Sequence, residues 1–287
     1  MCELCPPPDR RPDPPPRRIT RRALLATGAA VAGGAVLART TSAQVAPRTE
    51  VAAALAGVAP VTMAPGLAVL PRDAWGADLP PVRPVPLGET VKFLLVHHTA
   101  STNSYAAGAA RNVIRSTYSF HTSAAKGWPD VCYEFFVDRY GVVWEGRQGA
   151  LAGPVVADAT GGSQGFAQLV CVVGDFTSVQ PTPAAMTSLT RTLAFLADRY
   201  QLDTRPGAAT SFVSRGSQRW RAGVTVTTPT IAGHRDMSYT SCPGNAFYPV
   251  VHSQLQAMVH AERARMAAAQ GDTPRAPYRV NRTVVKP

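Results

Sequence analysis

The chain has 287 residues, 45% of them hydrophobic and only 16% charged, with 29 Lys+Arg against 18 Asp+Glu for a net charge of +11. That is apolar content enough for one large core with tails, or for two small domains, and too little charge for a disordered polyelectrolyte. The basic excess does not point to nucleic acid. Seven arginines against three acids up to Ala43 carry +4 of it, and no later stretch makes a dense Lys/Arg run or a DNA-reading motif.

Residues 1–43 read as an address. A Pro/Arg-rich start leads to Thr20-Arg21-Arg22-Ala23-Leu24-Leu25, a mildly apolar run over 23–38, and the small residues Thr41-Ser42-Ala43. Basic, apolar and small-residue regions in that order make a secretory signal. The paired Arg21 and Arg22 and the Gly/Ala-diluted run resemble a twin-arginine signal, which implies the twin-arginine export machinery as a partner and folded cargo that can take up a metal before export. The apolar run contains Gly28, Gly33 and Gly34 and falls short of the ~20 residues of a spanning helix, so cleavage after Ala43 is expected rather than anchoring. Cys2 and Cys5 would leave with the signal. Cys132, Cys171 and Cys242 remain, and an odd number in an oxidising compartment gives one thiol another job.

Residues 44–67 read as an Ala/Pro-rich linker, and a domain is expected over 68–265 with a tail at 266–287. Pro80, Pro81, Pro84 and Pro86 keep the start of the domain extended. The apolar run 91–96 predicts a buried strand ending at His97. A helix is predicted over 104–120, with Val113, Ile114 and Tyr118 on one face. Two strands, 131–137 and 142–144, flank the turn Asp138-Arg139-Tyr140-Gly141, and 169–173 is another buried strand. Thr182-Pro183 is an N-cap and first-turn pair for a helix carrying Met186, Leu189, Leu193 and Leu196. Residues 201–229 read as a long turn-rich connection, and Pro249 opens a last helix to about 268. The hairpin around Gly141 brings antiparallel pairing into the sheet, so the expected class is one mixed α/β (α+β) domain.

Three segments carry chemistry: Val96-His97-His98-Thr99 at a strand end, Gly233-His234-Arg235-Asp236, and Thr240-Ser241-Cys242-Pro243-Gly244. Imidazole and thiolate are the donors Zn²⁺ prefers, and three protein ligands with an open fourth position is the arrangement of a catalytic zinc. His234 and Cys242 are separated by seven intervening residues in a loop-like stretch that can fold back onto one ion, with His97 as the third donor. Taken singly, each histidine would better be read as a hydrogen-bonded structural residue.

Together with Arg72-Asp73-Ala74-Trp75-Gly76, with Tyr133-Glu134-Phe135-Phe136-Val137-Asp138 and Glu145-Gly146-Arg147, and with Val173-Gly174-Asp175-Phe176, these segments resemble, in order, the peptidoglycan recognition protein / type 2 N-acetylmuramoyl-L-alanine amidase family over roughly 68–260. The resemblance implies a central mixed β-sheet flanked by helices, with a zinc-floored substrate groove for peptidoglycan stem peptides. It makes His97, His234 and Cys242 the zinc ligands, Tyr133 the catalytic tyrosine, and Thr240 an assistant at the tetrahedral intermediate. Asp236 is expected to orient a ligand histidine as an outer partner. The implied reaction is zinc-assisted hydrolysis of the amide between the N-acetylmuramic acid lactyl group and L-alanine, by a secreted or wall-associated monomer. The alternative is a wall-binding recognition module without activity; such relatives typically lose a metal ligand, most often the cysteine, and Cys242 is present.

Cys132 and Cys171 both fall on predicted strands, and a disulfide between them would leave Cys242 for the metal; the pairing needs Cα atoms within ~7 Å. Glu134 alternates away from Tyr133 along the predicted strand and is not expected to act as a base. The chain departs from many bacterial members in having Asp158 where a Gly-Ala-His-type segment places histidine, and in Cys132 and Glu134, where Gly and Asn or His are common.

Overall fold

The computed structural model describes residues 57–270. The expected export signal with Arg21 and Arg22, most of the expected linker, and the chain beyond 270 lie outside the described residues. Among the described residues the strands are β1 (Val61–Ala64), β2 (Leu67–Leu70), β3 (Phe93–His98), β4 (Phe135–Val137), β5 (Val143–Glu145), β6 (Ala167–Val172), β7 (Ala209–Val213), β8 (Thr225–Pro229) and β9 (Ile231–Gly233). The helices are α1 (Asp73–Gly76), α2 (Ala110–Thr122), α3 (Pro183–Arg199), α4 (His234–Met237) and α5 (Tyr248–Val250), the last running through a π turn (Val251–Leu255) into α6 (Gln256–Gln270).

Seven strands form one mixed sheet in the spatial order β1-β2-β5-β4-β6-β3-β9, and β7 pairs with β8 separately. β4, β6, β3 and β9 run parallel, whereas β5 is antiparallel to β4. This is the expected mixed α/β class. Each face of the sheet has its own core. Leu94 and Val96 of β3 pack on the side of α3 and α6, with Leu189, Leu193, Val259 and Met266. Phe93 and Leu95 pack on the side of α2, with Ile114 and Tyr118. Burial on both faces is why β3 reads as a continuous apolar run rather than an alternating one.

Several expected boundaries are corrected. The stretch expected as linker to residue 67 joins the sheet at β1, because Ala64-Pro65-Gly66-Leu67 turns the chain back on itself. Gly66 stands at φ +73, the left-handed value that the third position of a Pro-Gly turn demands. The helix expected from 104 starts at Ala110. Tyr105 instead ties the preceding loop to the sheet, its hydroxyl donating to Val173 O (3.2 Å) and accepting from Arg139 N (2.8 Å). The strand expected over 131–137 is regular only from Phe135. Before it, side chains replace the ladder: Val131 N donates to Asp130 Oδ1 (2.7 Å) and Cys132 N to His121 Nδ1 (3.1 Å). The connection 201–229 contains the β7–β8 hairpin, and the last helix continues to Gln270, past the expected domain end at 265.

Two expectations hold closely. Thr182 Oγ1 accepts from Ala185 N (3.1 Å) with Pro183 at the first turn of α3. Asp138 holds the β4–β5 turn by accepting from Tyr140 N, Val142 N and Trp144 Nε1.

Candidate metal centre

β3 and β9 are neighbours and parallel, with Val96 opposite Gly233. His97 is the next residue of β3, and His234 the next after β9. Two adjacent strands therefore deliver both imidazoles at their carboxyl ends, where open α/β sheets place their sites. The ring centroids are 4.3 Å apart.

The third donor arrives by a fold-back. After α4 the chain loops and returns so that Arg235 N donates to Cys242 O (3.1 Å), and Cys242 N donates to Thr240 Oγ1 (3.1 Å). The Arg235 guanidinium clamps this loop through Ser241 O and Asn245 Oδ1. The Cys-Pro-Gly end of the motif is steric: Gly244, at φ +107, passes so close to Phe176 that a Cβ would lie 2.3 Å from its carbonyl oxygen. Cys242 Sγ comes to rest 3.6 Å from His97 Nδ1 and accepts from His98 N (3.4 Å), a contact that favours the thiolate.

The ligand atoms of His97, His234 and Cys242 all lie within 4.8 Å of one another, and all three residues are buried. A tetrahedral ion with ordinary Zn–N and Zn–S bonds sets N and S ligands about 3.6 Å apart. The donor set and its spacing therefore fit a metal ion of this kind.

The other expected residues divide. Tyr133 is buried with its ring 5.0 Å from that of His97, so it adjoins the donors. Thr240 is half-buried; its oxygen receives the Cys242 amide, which leaves its proton to donate elsewhere. Asp236 does not orient a ligand imidazole, which corrects the expectation. Its carboxylate accepts from Gly233 N (2.8 Å) and from the Tyr248 hydroxyl (2.5 Å), so it secures the backbone turn that carries His234. That bond and burial, the larger cause, push the Tyr248 hydroxyl up to about 12.

Cys132 and Cys171 are two thiols, not the expected disulfide. The Cys132 sulfur faces His121 Nε2 at 3.9 Å, and the Cys171 sulfur faces Val172 O at 3.9 Å. His121 is neutral at physiological pH: burial, reinforced by Lys126 and Arg147, holds it down at about 3. Glu134 turns to β6, accepting from Leu169 N (2.7 Å), and burial raises its carboxyl to about 8. His98 is also buried, with Nδ1 accepting from Phe176 N (3.3 Å). Asp158 is bound to the buried Arg147 (2.7 Å).

Sequence reasoning missed Tyr248 and Asp130. Asp130 takes both guanidinium nitrogens of the buried Arg72 at 2.9 Å, while Arg72 also donates to Gly146 O and Leu79 O and stacks on Trp75. The Arg72-to-Gly76 motif is thus a clamp that fixes Glu145-Gly146-Arg147 beside Tyr133, whose carbonyl accepts from Arg147 N. Neither an isolated aspartate in a loop nor a tyrosine in the first turn of a helix carries a signal in the sequence.

A family model described as N-acetylmuramoyl-L-alanine amidase matches residues 87–245, more than half of the chain. The chain belongs to the N-acetylmuramoyl-L-alanine amidase family. Relatives include N-acetylmuramoyl-L-alanine amidases of Homo sapiens, 32% identical over 175 residues (60% of this chain, 25% of that protein), and of Sus scrofa, 30% identical over 174 residues (59% and 24%). The match therefore spans about a quarter of the length of these amidases. Peptidoglycan recognition protein 1 of Mus musculus is 26% identical over 171 residues, covering 58% of this chain and 77% of that protein. Among solved structures, Drosophila peptidoglycan recognition protein SD aligns with a TM-score of 0.49 at 19% identity, covering 64% of this chain and 92% of that one. Among the described residues, no helix of this amidase-family chain is long and apolar enough to cross a membrane.

Proposed function

We propose that this protein is an exported, zinc-dependent N-acetylmuramoyl-L-alanine amidase, which cleaves the amide joining the lactyl group of N-acetylmuramic acid to the L-alanine of the stem peptide. The observation that carries the reading is the complete His97, His234 and Cys242 donor set inside a family-matched domain.

His97, His234 and Cys242 would hold the zinc, leaving its remaining position to water or substrate. Bound zinc supplies Lewis acidity, which acidifies water and polarises the amide carbonyl. Tyr133, beside His97, is assigned the hydrogen bond to the oxygen that gains charge as the carbonyl becomes tetrahedral; donors aimed at developing charge give the largest catalytic returns. Thr240 is assigned a second such donation with the proton its amide contact leaves available. The His98 amide points its N–H at the Cys242 sulfur, and Asp236 with Tyr248 prevents the His234 turn from relaxing. Burial of the donors excludes bulk water from the ligand side.

Export through the twin-arginine machinery is part of the same reading and rests on Arg21 and Arg22 within a signal-like sequence. A recognition module would bind muropeptides without turnover. The distinguishing experiment follows a soluble muramyl-peptide by mass spectrometry with zinc-loaded protein, with protein stripped by chelator, and after zinc is restored. Release of lactyl-ended sugar and free peptide only in the two zinc-bearing samples is the expected outcome; binding without release in all three would make the protein a recognition module.

A further inference from the structure

Between Asp203 and Asp236 the chain has no acidic residue and five arginines: Arg205, Arg215, Arg219, Arg221 and Arg235. The β7–β8 hairpin carries three of these at its far end, and that end is fastened to α4, the turn bearing His234. Trp220 Nε1 donates to Asp236 O (3.3 Å), Ser217 Oγ to Met237 O (3.5 Å), and the Arg219 guanidinium to Arg235 O.

The charges there are not all equivalent. Arg205 is bound by Asp203 and Arg215 by Glu89. Arg219 and Arg221 are exposed and have no acidic partner among the described residues; Arg219 lies over Trp220 (5.3 Å), and among the described residues the Arg221 side chain makes no hydrogen bond or ion pair. Arg235 lies over Tyr248 (4.5 Å), and its guanidinium donates to Ser241 O and Asn245 Oδ1. The nearest acid in sequence, Asp236, is spent on Gly233 N and the Tyr248 hydroxyl. On the opposite, β6 side of the donors stands Asp175, 4.0 Å from His98 Nδ1 and half exposed. The metal centre is therefore flanked by an acid on its β6 side and by arginines on its β9 side.

We propose that Arg219 and Arg221 of the hairpin, with Arg235, form a rim that binds the free carboxylates of the stem peptide beyond the scissile amide. The proposal rests on the amidase reading and deepens it by naming what the substrate must carry. An extended peptide gains about 3.4 Å per residue, so the second to fourth residues of a stem leave the donors and run over an adjoining wall. Carboxylates on those residues are repelled by the Asp175 side and drawn to the hairpin side. The planar guanidinium fork suits a carboxylate better than an ammonium would.

The test measures calorimetric affinity of zinc-loaded Tyr133→Phe protein, whose turnover should be slowed about 100-fold or more, for a muramyl-tripeptide with free carboxylates and for the same compound fully amidated. The free acid should bind about tenfold more tightly, as expected for charge-assisted hydrogen bonds at an exposed site. That preference should shrink in high salt and vanish in the Arg219→Ala/Arg221→Ala background. Arg221→Ala alone should remove part of it, and the charge-matched Arg205→Ala/Arg265→Ala, at arginines paired with Asp203 and Glu262, should leave it intact. A preference that survives loss of Arg219 and Arg221, equal loss in the charge-matched control, or no preference at all would overturn the rim. Intact discrimination, together with no hydrolysis of the free acid by the zinc-loaded protein that keeps Tyr133, would overturn the amidase reading and spare the rim.

Discussion

In the proposed reaction three side chains decide the chemistry, and a few neighbours decide whether they can perform it. Cys242 is the donor without which two histidines make an incomplete site, so Cys242→Ser should abolish stoichiometric zinc binding, measured by metal analysis after dialysis; a variant that keeps one tightly held zinc would refute the assignment. Tyr133→Phe should retain zinc and lose about 100-fold or more in kcat, the usual cost of removing a donor to a developing oxyanion. Glu134 offers a different test. Its carboxyl titrates at about 8 in the folded chain against 4.5 as an ordinary glutamate, because burial penalises its charge. Between those values the folded chain holds one proton more than the unfolded chain. The contribution of Glu134 to stability is therefore fullest below pH 4.5 and declines as pH rises towards 8. Glu134→Gln should flatten the fall in Tm between pH 5 and 8.5, and an unchanged slope would contradict this origin for it.

At the scale of elements, regularity in the sequence reported regularity in the structure. β3 was legible as an unbroken apolar run because both its faces are buried, and α3 because Thr182 and Pro183 mark its start. What stayed hidden was built by side chains reaching across the chain. The segment before β4 looks like a strand, yet Asp130, His121 and Glu134 hold the backbone bonds of this region, and no local pattern reports such partners. β1 was hidden by composition, since Ala, Pro and Val serve a linker as well as an edge strand. The Arg72–Asp130 clamp joins the start of α1 to the segment before β4, 58 positions away in the chain, and Arg72 reaches the β5 end through Gly146 O. Asp130→Ala would leave a buried guanidinium with only two carbonyls, and should cost about 3 kcal/mol in chemical denaturation without changing zinc stoichiometry.

For the molecule as a whole, the ordered motifs made the family legible from residues alone, and the donors' convergence then follows from topology: parallel neighbours β3 and β9 put His97 and His234 at one edge, and the fold-back supplies Cys242. The roles of Asp236, Cys132 and Cys171 were not legible, because a motif names residue types and not the partners they select in three dimensions. Asp236 chose a backbone amide and a distant tyrosine, and the two cysteines stay thiols. The central claim is that this centre cleaves the lactyl–alanine amide. Its most direct test incubates the zinc-loaded protein with purified peptidoglycan and measures new N-terminal L-alanine on the released stem peptides. The account predicts a time-dependent rise in N-terminal L-alanine that Cys242→Ser abolishes; no rise with zinc stoichiometrically bound would contradict it.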